Sequence, residues 1–267
     1  MTRVPIAQGT FYPDKVRSLS EELDELIPEK KDKIDAFGAV IPHAGYRYSG
    51  SVAGATYARI LPKDIYVLLG PNHTGYGADI AFSDETWKTP MGESSVSASF
   101  IKDVKERTSM IRTDRSAHAS EHSIEVQLPF IKRTAPSAEI VPISIKHCST
   151  EDMWRLAEVL TGVISGSEKR IMIVASSDMT HYESRRSARE KDMLAIQKIL
   201  SVDPEGLIDI VESMDISMCG YIPSALMLMC ARISGAKKAE LVKYSDSGYT
   251  TGDTQQVVGY AGIAVYR

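Results

Sequence analysis

The sequence is poor in cysteine and has no long apolar run. Its 267 residues include only three cysteines, Cys148, Cys219 and Cys230, which are too few for a disulfide framework and favour a reducing compartment. No apolar run approaches the roughly 18–20 residues that span a bilayer. No apolar h-region follows Arg3, so we also expect no signal peptide. These absences predict a cytoplasmic protein without a membrane partner.

Other absences exclude several functional classes. A formal net charge of -4 gives no electrostatic footprint for nucleic acid. The sequence contains no G-x-S-x-G, G-x-x-x-x-G-K-[ST] or G-x-G-x-x-G motif. The fingerprints of α/β-hydrolases, P-loop proteins and dinucleotide-binding domains are therefore missing. We expect no nucleotide cofactor and no nucleic-acid partner.

What the sequence does contain is a series of short apolar runs, which predict strands buried on both faces of a sheet. The predicted strands span residues 37–41, 64–69, 79–82, 140–145, 170–175, 239–244 and 257–265. Patterns between them predict helices over residues 49–62, 97–108, 149–166, 187–200, 203–214 and 221–235. This alternation predicts one domain over residues 1–267, an α/β protein with a three-layer α/β/α sandwich and a central mixed, mostly parallel sheet.

Chemically active side chains follow three of these strands at their carboxyl ends. His43 and His73 follow the first two strands, and Asp178 and His181 follow the strand that ends near Ala175. In open α/β sheets, ligands bind in the crevice beyond the carboxyl ends of the strands. A single histidine after a strand is more often a structural residue. Here, however, the predicted fold would bring His43, His73, Asp178 and His181 together in one crevice. Because neutral imidazole is a common metal ligand, the pattern indicates a metal or catalytic site.

Cys219 is a further candidate for this site. It directly precedes Gly220 and a helix that we expect to begin near Pro223. A thiol near a helix N-terminus has a lowered pKa, and the thiolate is the form that binds metal. The alternative is an ordinary buried cysteine, which is how we interpret Cys230 and Cys148.

The segment around residue 120 offers more polar groups. On a helix that starts near Ser120, Glu121 and Glu125 would share a face, as would His118 and His122. The HExxH motif of zinc proteases is absent. We therefore expect His122 and Glu125 to line the pocket rather than hold a metal ion. The alternative is an amphipathic helix with a solvated polar face.

Taken together, several stretches resemble the Memo family, named for a mediator of cell motility. The matching stretches are PHAGYRYSG, LLGPNHTG, TPMGE, EHSIEVQLPF, SSDMTHY, MCGYIP and YSDSGYTTGD. They run in the family's order from Pro42 to Asp253, so the resemblance covers nearly the whole chain. Each is weak alone, and the seven in order make the match specific.

The resemblance implies a fold similar to the class III non-haem iron extradiol dioxygenases, with a metal pocket at the strand ends. By position it implies that His43, His73 and Cys219 hold one iron or copper ion. His181 corresponds to the histidine that acts as acid–base in those dioxygenases. Because thiolate is softer than the carboxylate it replaces, the set favours copper or zinc over a hard iron(II) site.

Two functions compete on this basis. In the first, the protein is a metal-dependent, dioxygenase-like redox protein in which Asp178 orients a pocket histidine and His122 and Glu125 contact the substrate. In the second, the same pocket binds a peptide or an anion without turnover, with residues 244–254 as one wall. The resemblance also implies a radical S-adenosylmethionine protein and an AMMECR-type protein as pathway partners.

Overall fold

The buried apolar runs assemble into one nine-stranded mixed sheet. A computed structural model describes residues 1–267. Its strands are β1 (Thr2–Arg3), β2 (Ala36–Ile41), β3 (Ile65–Pro71), β4 (Ile80–Phe82), β5 (Thr86–Thr89), β6 (Gly92–Ser94), β7 (Arg112–Thr113), β8 (Glu139–Ile145), β9 (Ile171–Ser176), β10 (His181–Glu183), β11 (Lys238–Asp246) and β12 (Val257–Tyr266). The sheet order is β10-β12-β2-β9-β3-β8-β4-β7, with β11 paired to β12, and β1, β5 and β6 form a separate small sheet.

Helices connect and cover the strands. They are α1 (Val16–Leu26), α2 (Ser51–Arg59), α3 (Ala98–Lys105), α4 (Ser116–Ala119), α5 (Leu128–Thr134), α6 (Thr150–Ser165), α7 (Arg185–Leu200), α8 (Pro204–Ser213), α9 (Tyr221–Ile233) and α10 (Gly248–Thr251). A π-helical turn, Tyr46–Gly50, leads into α2, and a 3-10 turn, Glu125–Gln127, leads into α5. No helix is both long enough and apolar enough to cross a bilayer.

The centre of the sheet is parallel. β2, β9, β3 and β8 are neighbours in this order and all run in the same direction. β12 pairs antiparallel with β2 on one side, and β4 pairs antiparallel with β8 on the other. The expected mixed sheet is thus confirmed as a parallel centre with antiparallel pairs beside it. The carboxyl ends of β2, β9 and β3 consequently meet at one edge.

Side chains alternate between the two faces of this sheet, as the strand period of two requires. Val67 and Leu69 of β3 join a cluster of 43 buried residues, in which α3 and α6 to α9 also take part. Tyr66 and Leu68 join a second cluster of 26 buried residues, which includes residues of α1, α2 and α5. The helices therefore form two outer layers around the sheet, which confirms the predicted α/β/α sandwich.

One predicted element is wrong. Instead of a continuous helix from Ser120, the chain leaves α4 after Ala119, crosses an irregular turn and becomes helical again at Glu125. The turn is stabilised by the side chain of Glu121, whose carboxylate accepts a hydrogen bond from the backbone N–H of Ser123 at 2.9 Å. As a result, the expected sharing of one helical face between residues four apart does not occur here.

Candidate metal centre

Three histidines meet beyond the carboxyl edge of the parallel strands. His43 follows β2, His73 follows β3, and His122 comes from the turn between α4 and the 3-10 turn. One ring nitrogen from each lies within 4.8 Å of the other two. The ring centroids of His73 and His122 are 5.0 Å apart, and that of His43 is 5.3 Å from His73. This group can hold a metal ion.

Neighbouring polar groups determine which nitrogen of His43 faces the cluster. Its Nδ1 lies 3.0 Å from Oγ of Ser176, at the end of β9. That hydroxyl donates its only hydrogen to the carbonyl of Ser123 at 2.7 Å and accepts a bond from the side-chain amide of Gln127. Ser176 can therefore only accept from His43, so Nδ1 carries the proton. The unprotonated Nε2 faces Cys219, whose sulfur is 3.4 Å away.

A buried carboxylate orients His73. Glu121 accepts a hydrogen bond from the backbone N–H of His73 at 2.6 Å, and its other oxygen is 3.0 Å from Nδ1 of the ring. Burial alone would raise the pKa of Glu121, but the hydrogen bond and charge of His73 lower it to about 2. The carboxylate is thus ionised and accepts from Nδ1–H, which leaves Nε2 free. Such carboxylate–histidine pairs are typical of metal-binding imidazoles.

Burial favours the neutral form of the His43 and His122 rings. Burial, followed by the positive charges of His122 and His73, lowers the pKa of His43 well below its usual value. Burial also lowers the pKa of His122, against the attraction of Glu121. The ring of Phe11 packs on His122 with centroids 4.5 Å apart. Neutral imidazole is the form that binds a metal ion.

Cys219 contacts His43 but lies outside the group of three imidazoles, and its loop lies tightly against the end of β9. The N–H of Gly220 donates to Oγ of Ser177 at 2.9 Å. A Cβ atom on Gly220 would lie only 2.3 Å from the carbonyl oxygen of Ser176, so the position requires glycine. The backbone N–H of Asp178 donates to the sulfur at 3.3 Å. Burial raises the pKa of the Cys219 thiol, and the carboxylate of Asp178 adds to this, so the lowered pKa expected near the helix N-terminus is wrong.

Asp178 lies at the base of the site. One of its oxygens accepts hydrogen bonds from the backbone N–H groups of His43 and Ala44, at 2.8 and 3.3 Å. It therefore holds the main chain of His43, whereas the ring is oriented by Ser176. Burial raises the pKa of Asp178, although the nearby charges of His181 and other groups oppose the shift.

His181 lies in β10, which pairs with β12 at the edge of the sheet. Its Nδ1 is 2.9 Å from the carbonyl oxygen of Ser217, which can only accept, so Nε2 is again the free nitrogen. The next residue, Tyr182, has a positive φ of 58° and interrupts the pairing of β10 with β12. Buried Asp192 accepts from the N–H of Thr180 at 2.9 Å and fixes the chain before this bulge.

Glu125, which we expected to line the pocket, contacts residues of the N-terminal segment. Its side chain is fully buried and pairs with Arg3 at 2.6 Å. Its carboxylate also accepts from the hydroxyl of Tyr12 at 2.7 Å and from the N–H groups of Ile6 and Ala7. Both oxygens are thereby occupied, and a contact between Glu125 and a substrate stays a prediction.

Two supporting residues escaped the sequence reasoning. The sequence indicated Glu121 only as a residue on the same predicted helix face as Glu125. The signal that could have identified it is its position directly before His122. Ser176 gave no signal, because a serine at the end of a buried strand has many ordinary explanations. Both act through side-chain bonds to residues far away in the sequence, at separations of 48 and 133 positions.

Comparison with known proteins gives a consistent result. A family model described as Memo-like protein matches residues 3–264. The chain is 42% identical over 266 residues to a MEMO1 family protein of Methanosarcina acetivorans, covering 98% of both chains. It is 36% identical to a MEMO1 family protein of Methanopyrus kandleri, covering 100% of both.

A solved structure shares the fold. It is that of an uncharacterized protein from Escherichia coli K12, with a TM-score of 0.54 and 13% identity over 84% of this chain and 98% of the other. At this identity the likeness concerns the fold alone. The family match, by contrast, extends over nearly all of the chain, and the three histidines fall within the matched residues. The protein therefore belongs to the Memo family.

Proposed function

We propose that the protein holds one redox-active metal ion, copper or iron, at the strand-end site and uses it in a dioxygenase-like oxidation. His43, His73 and Cys219 are the proposed protein ligands, and His122 lies beside them as a further imidazole. The observation that carries the proposal is the orientation of the rings. His43 and His73 are each fixed through Nδ1, which leaves Nε2 as the nitrogen of each ring that can bind a metal ion when the ring is neutral.

The distance between His43 and Cys219 supports a shared ion. Two ligands at about 2.0 Å (nitrogen) and 2.3 Å (sulfur) from one tetrahedral ion lie about 3.5 Å apart. The 3.4 Å between Nε2 of His43 and the sulfur of Cys219 fits this value. His122 is proposed as an additional ligand for this ion, because its ring nitrogen forms one group with those of His43 and His73.

The chemistry of the donors supports copper or zinc more than iron. Imidazole suits all three metals, whereas thiolate favours copper(I) and zinc. When bound, copper or iron supplies electron exchange with a substrate or dioxygen, which imidazole and carboxylate groups lack. Zinc would restrict the site to chemistry without electron transfer.

The remaining residues have proposed roles in proton movement. His181 presents Nε2 as a proton acceptor or donor, because the carbonyl of Ser217 holds the proton on Nδ1. Asp178, whose pKa is raised by burial, can share a proton with this region while it holds the backbone of His43. His122 presents an imidazole to a substrate when it does not bind the ion.

The alternative, a binding module for peptides or anions, has less support. Arginine is the usual partner of phosphate, but Arg185 beside the 244–254 segment is already paired with Asp246 at 2.8 Å. Arg47 stacks on the ring of Tyr48 and lies at the surface. The contacts of these two guanidinium groups do not direct either of them towards the histidines.

The experiment that tests the function compares metal loading with oxygen use. The metal-free protein is loaded with copper(I), iron(II) or zinc(II), and oxygen consumption is followed with a panel of catechols and other reductants. We expect uptake with copper or iron and none with zinc, and uptake should fall in His181→Gln. Absence of uptake with all metals, together with a thermal shift by phosphopeptides or oxyanions, would favour the binding module.

A further inference from the structure

The N-terminal segment is tied to the turn that bears Glu121 and His122. The guanidinium of Arg3 donates to the carbonyl oxygen of His118 at 2.9 Å and to that of Glu121 at 2.8 Å. It also pairs with the carboxylate of Glu125 at 2.6 Å. One side chain thus holds the start, the middle and the end of this turn.

Arg3 is itself held rigidly. Its side chain is only 4% exposed, and its guanidinium lies over the ring of Trp87, 4.0 Å from the centroid. β1 pairs with β5, which contains Trp87, so the backbone of Arg3 is fixed as well. A planar donor with several N–H groups in a fixed fork is suited to such a multiple contact, and a lysine is not.

The residues after Arg3 complete the attachment. The carboxylate of Glu125 accepts from the N–H groups of Ile6 and Ala7 and from the hydroxyl of Tyr12. The carbonyl of the adjacent Phe11 accepts from the N–H of Tyr46, in the turn after His43. The N-terminal segment therefore contacts two of the three chain segments that supply histidines.

We propose that Arg3, acting with Glu125, is a positioning residue of the metal centre. Arg3 touches neither the cluster nor a substrate. It fixes the carbonyl of Glu121, and the carboxylate of Glu121 in turn fixes the ring of His73, while His122 is the next residue in the same turn. Two of the three imidazoles thus depend on a side chain near the beginning of the sequence. This inference rests on the proposed metal function.

Substitution of Arg3 should loosen the two rings selectively. Replacement of groups that orient metal ligands commonly lowers metal affinity by about 10–100-fold. We expect Arg3→Met to weaken binding by at least about tenfold and Arg3→Lys to be intermediate, because lysine keeps the charge without the fork. His43 is oriented by Ser176 and should remain in place.

The test combines two measurements on the full-length protein. Titration with zinc(II) gives the affinity, and nitrogen–proton correlation spectra of the histidine rings of the metal-free protein report their tautomers and order. Leu160→Ala serves as the control, because Leu160 of α6 is buried in the core cluster on the other face of the sheet, which contains no residue of the turn. It separates a loss of stability from a loss of positioning. Glu125→Gln is a milder second variant should Arg3→Met fail to fold.

We expect the ring signals of His73 and His122 to shift or broaden in the Arg3 and Glu125 variants and to stay unchanged in Leu160→Ala. The zinc affinity should follow the same order. Unchanged ring signals in the folded Arg3 and Glu125 variants would overturn it, as would an equal loss of affinity in the control. If the wild-type protein binds no metal, the proposed function fails, and the ring spectra still decide the positioning role.

Discussion

The sulfur of Cys219 lies 3.4 Å from Nε2 of His43, although the two residues are 176 positions apart in the sequence. The contact exists because the loop before α9 packs on the end of β9, which separates β2 from β3 in the sheet. Cys219 therefore contacts His43 at the unprotonated nitrogen, where the proposed metal ion would bind.

Cobalt(II) should reveal this pair directly. We expect the cobalt-loaded protein to show an ultraviolet sulfur-to-cobalt charge-transfer band, which disappears in Cys219→Ser and persists in Cys148→Ser. Cys148 is a suitable control because it is a free cysteine buried in the large core cluster and makes no hydrogen bond to a histidine. Absence of the band from the cobalt-loaded wild type would show that the thiol of Cys219 is no ligand and would leave the three histidines as the metal site.

The pairing of Glu121 with His73 should be visible in a titration of the metal-free protein. Burial alone would lower the pKa of His73, but the hydrogen bond and negative charge of Glu121 together raise it. In Glu121→Gln the charge is lost, so the pKa of His73 should fall below its wild-type value. Proton NMR titration of the ring measures this shift.

Glu139→Gln provides the control for that titration, since Glu139 lies at the start of β8 and pairs with Lys169. A pKa of His73 that is the same in Glu121→Gln and in the wild type would contradict the assigned contact.

His118 should make the fold sensitive to acid. It is fully buried between Trp87 and the carbonyl of Ala81, and its Nδ1 has no hydrogen-bond partner. Burial lowers its pKa from 6.5 to about 4. Because the unfolded state binds more protons than the folded state between these values, stability is present above pH 6.5 and is lost as the pH falls towards 4.

Urea unfolding at two pH values measures how much free energy of unfolding His118 contributes to this pH dependence. Between about pH 7 and about pH 5, the wild type should lose about 2 kcal/mol more than His118→Gln. His147→Gln, at an exposed histidine, should behave like the wild type. Equal pH dependence of His118→Gln and the wild type would mean that His118 is accessible to protons in the folded state.

Gly220 should tolerate no side chain. A Cβ atom there would lie 2.3 Å from a backbone carbonyl oxygen, so Gly220→Ala must displace the loop of Cys219. We expect a loss of about 1–3 kcal/mol in the free energy of unfolding and weaker metal binding. Gly166→Ala, where the added atom meets its neighbours at an ordinary 3.5 Å, should change stability little. Wild-type affinity in Gly220→Ala would contradict the close seating of the loop.

The sequence predicted seven of the twelve strands and the edge at which the candidate site lies, but it did not predict the short strands β1, β5, β6, β7 and β10. Continuous apolar runs identify strands buried on both faces, and the carboxyl ends of parallel strands must meet. His43 and His73 were recognisable for this reason. The two histidines lie close together because β2, β9 and β3 are parallel neighbours with matched register. No local sequence pattern specifies this register, but the alternation of strands and helices predicts a parallel sheet in which these strand ends meet.

The turn around Glu121 was not predictable in the same way. Its residues have helical spacing, and a local reading gives a helix from Ser120. The competing structure is stabilised by bonds from Glu121 to His73 and from Arg3 to the carbonyl of Glu121, over separations of 48 and 118 residues. Tertiary contacts of this kind override local propensity. These contacts also place His122 in the group of three imidazoles, whereas we expected it only to line the pocket.

The most direct test of the account is an anaerobic titration of the metal-free protein with copper(I) and iron(II), beside the variants His43→Ala, His73→Ala and Cys219→Ser. We expect the wild type to bind one equivalent of metal tightly. Each variant should bind at least about tenfold more weakly, which corresponds to about 1.4 kcal/mol. No tight binding of either metal by the folded wild-type protein, or equal binding by all the variants, would contradict the metal centre.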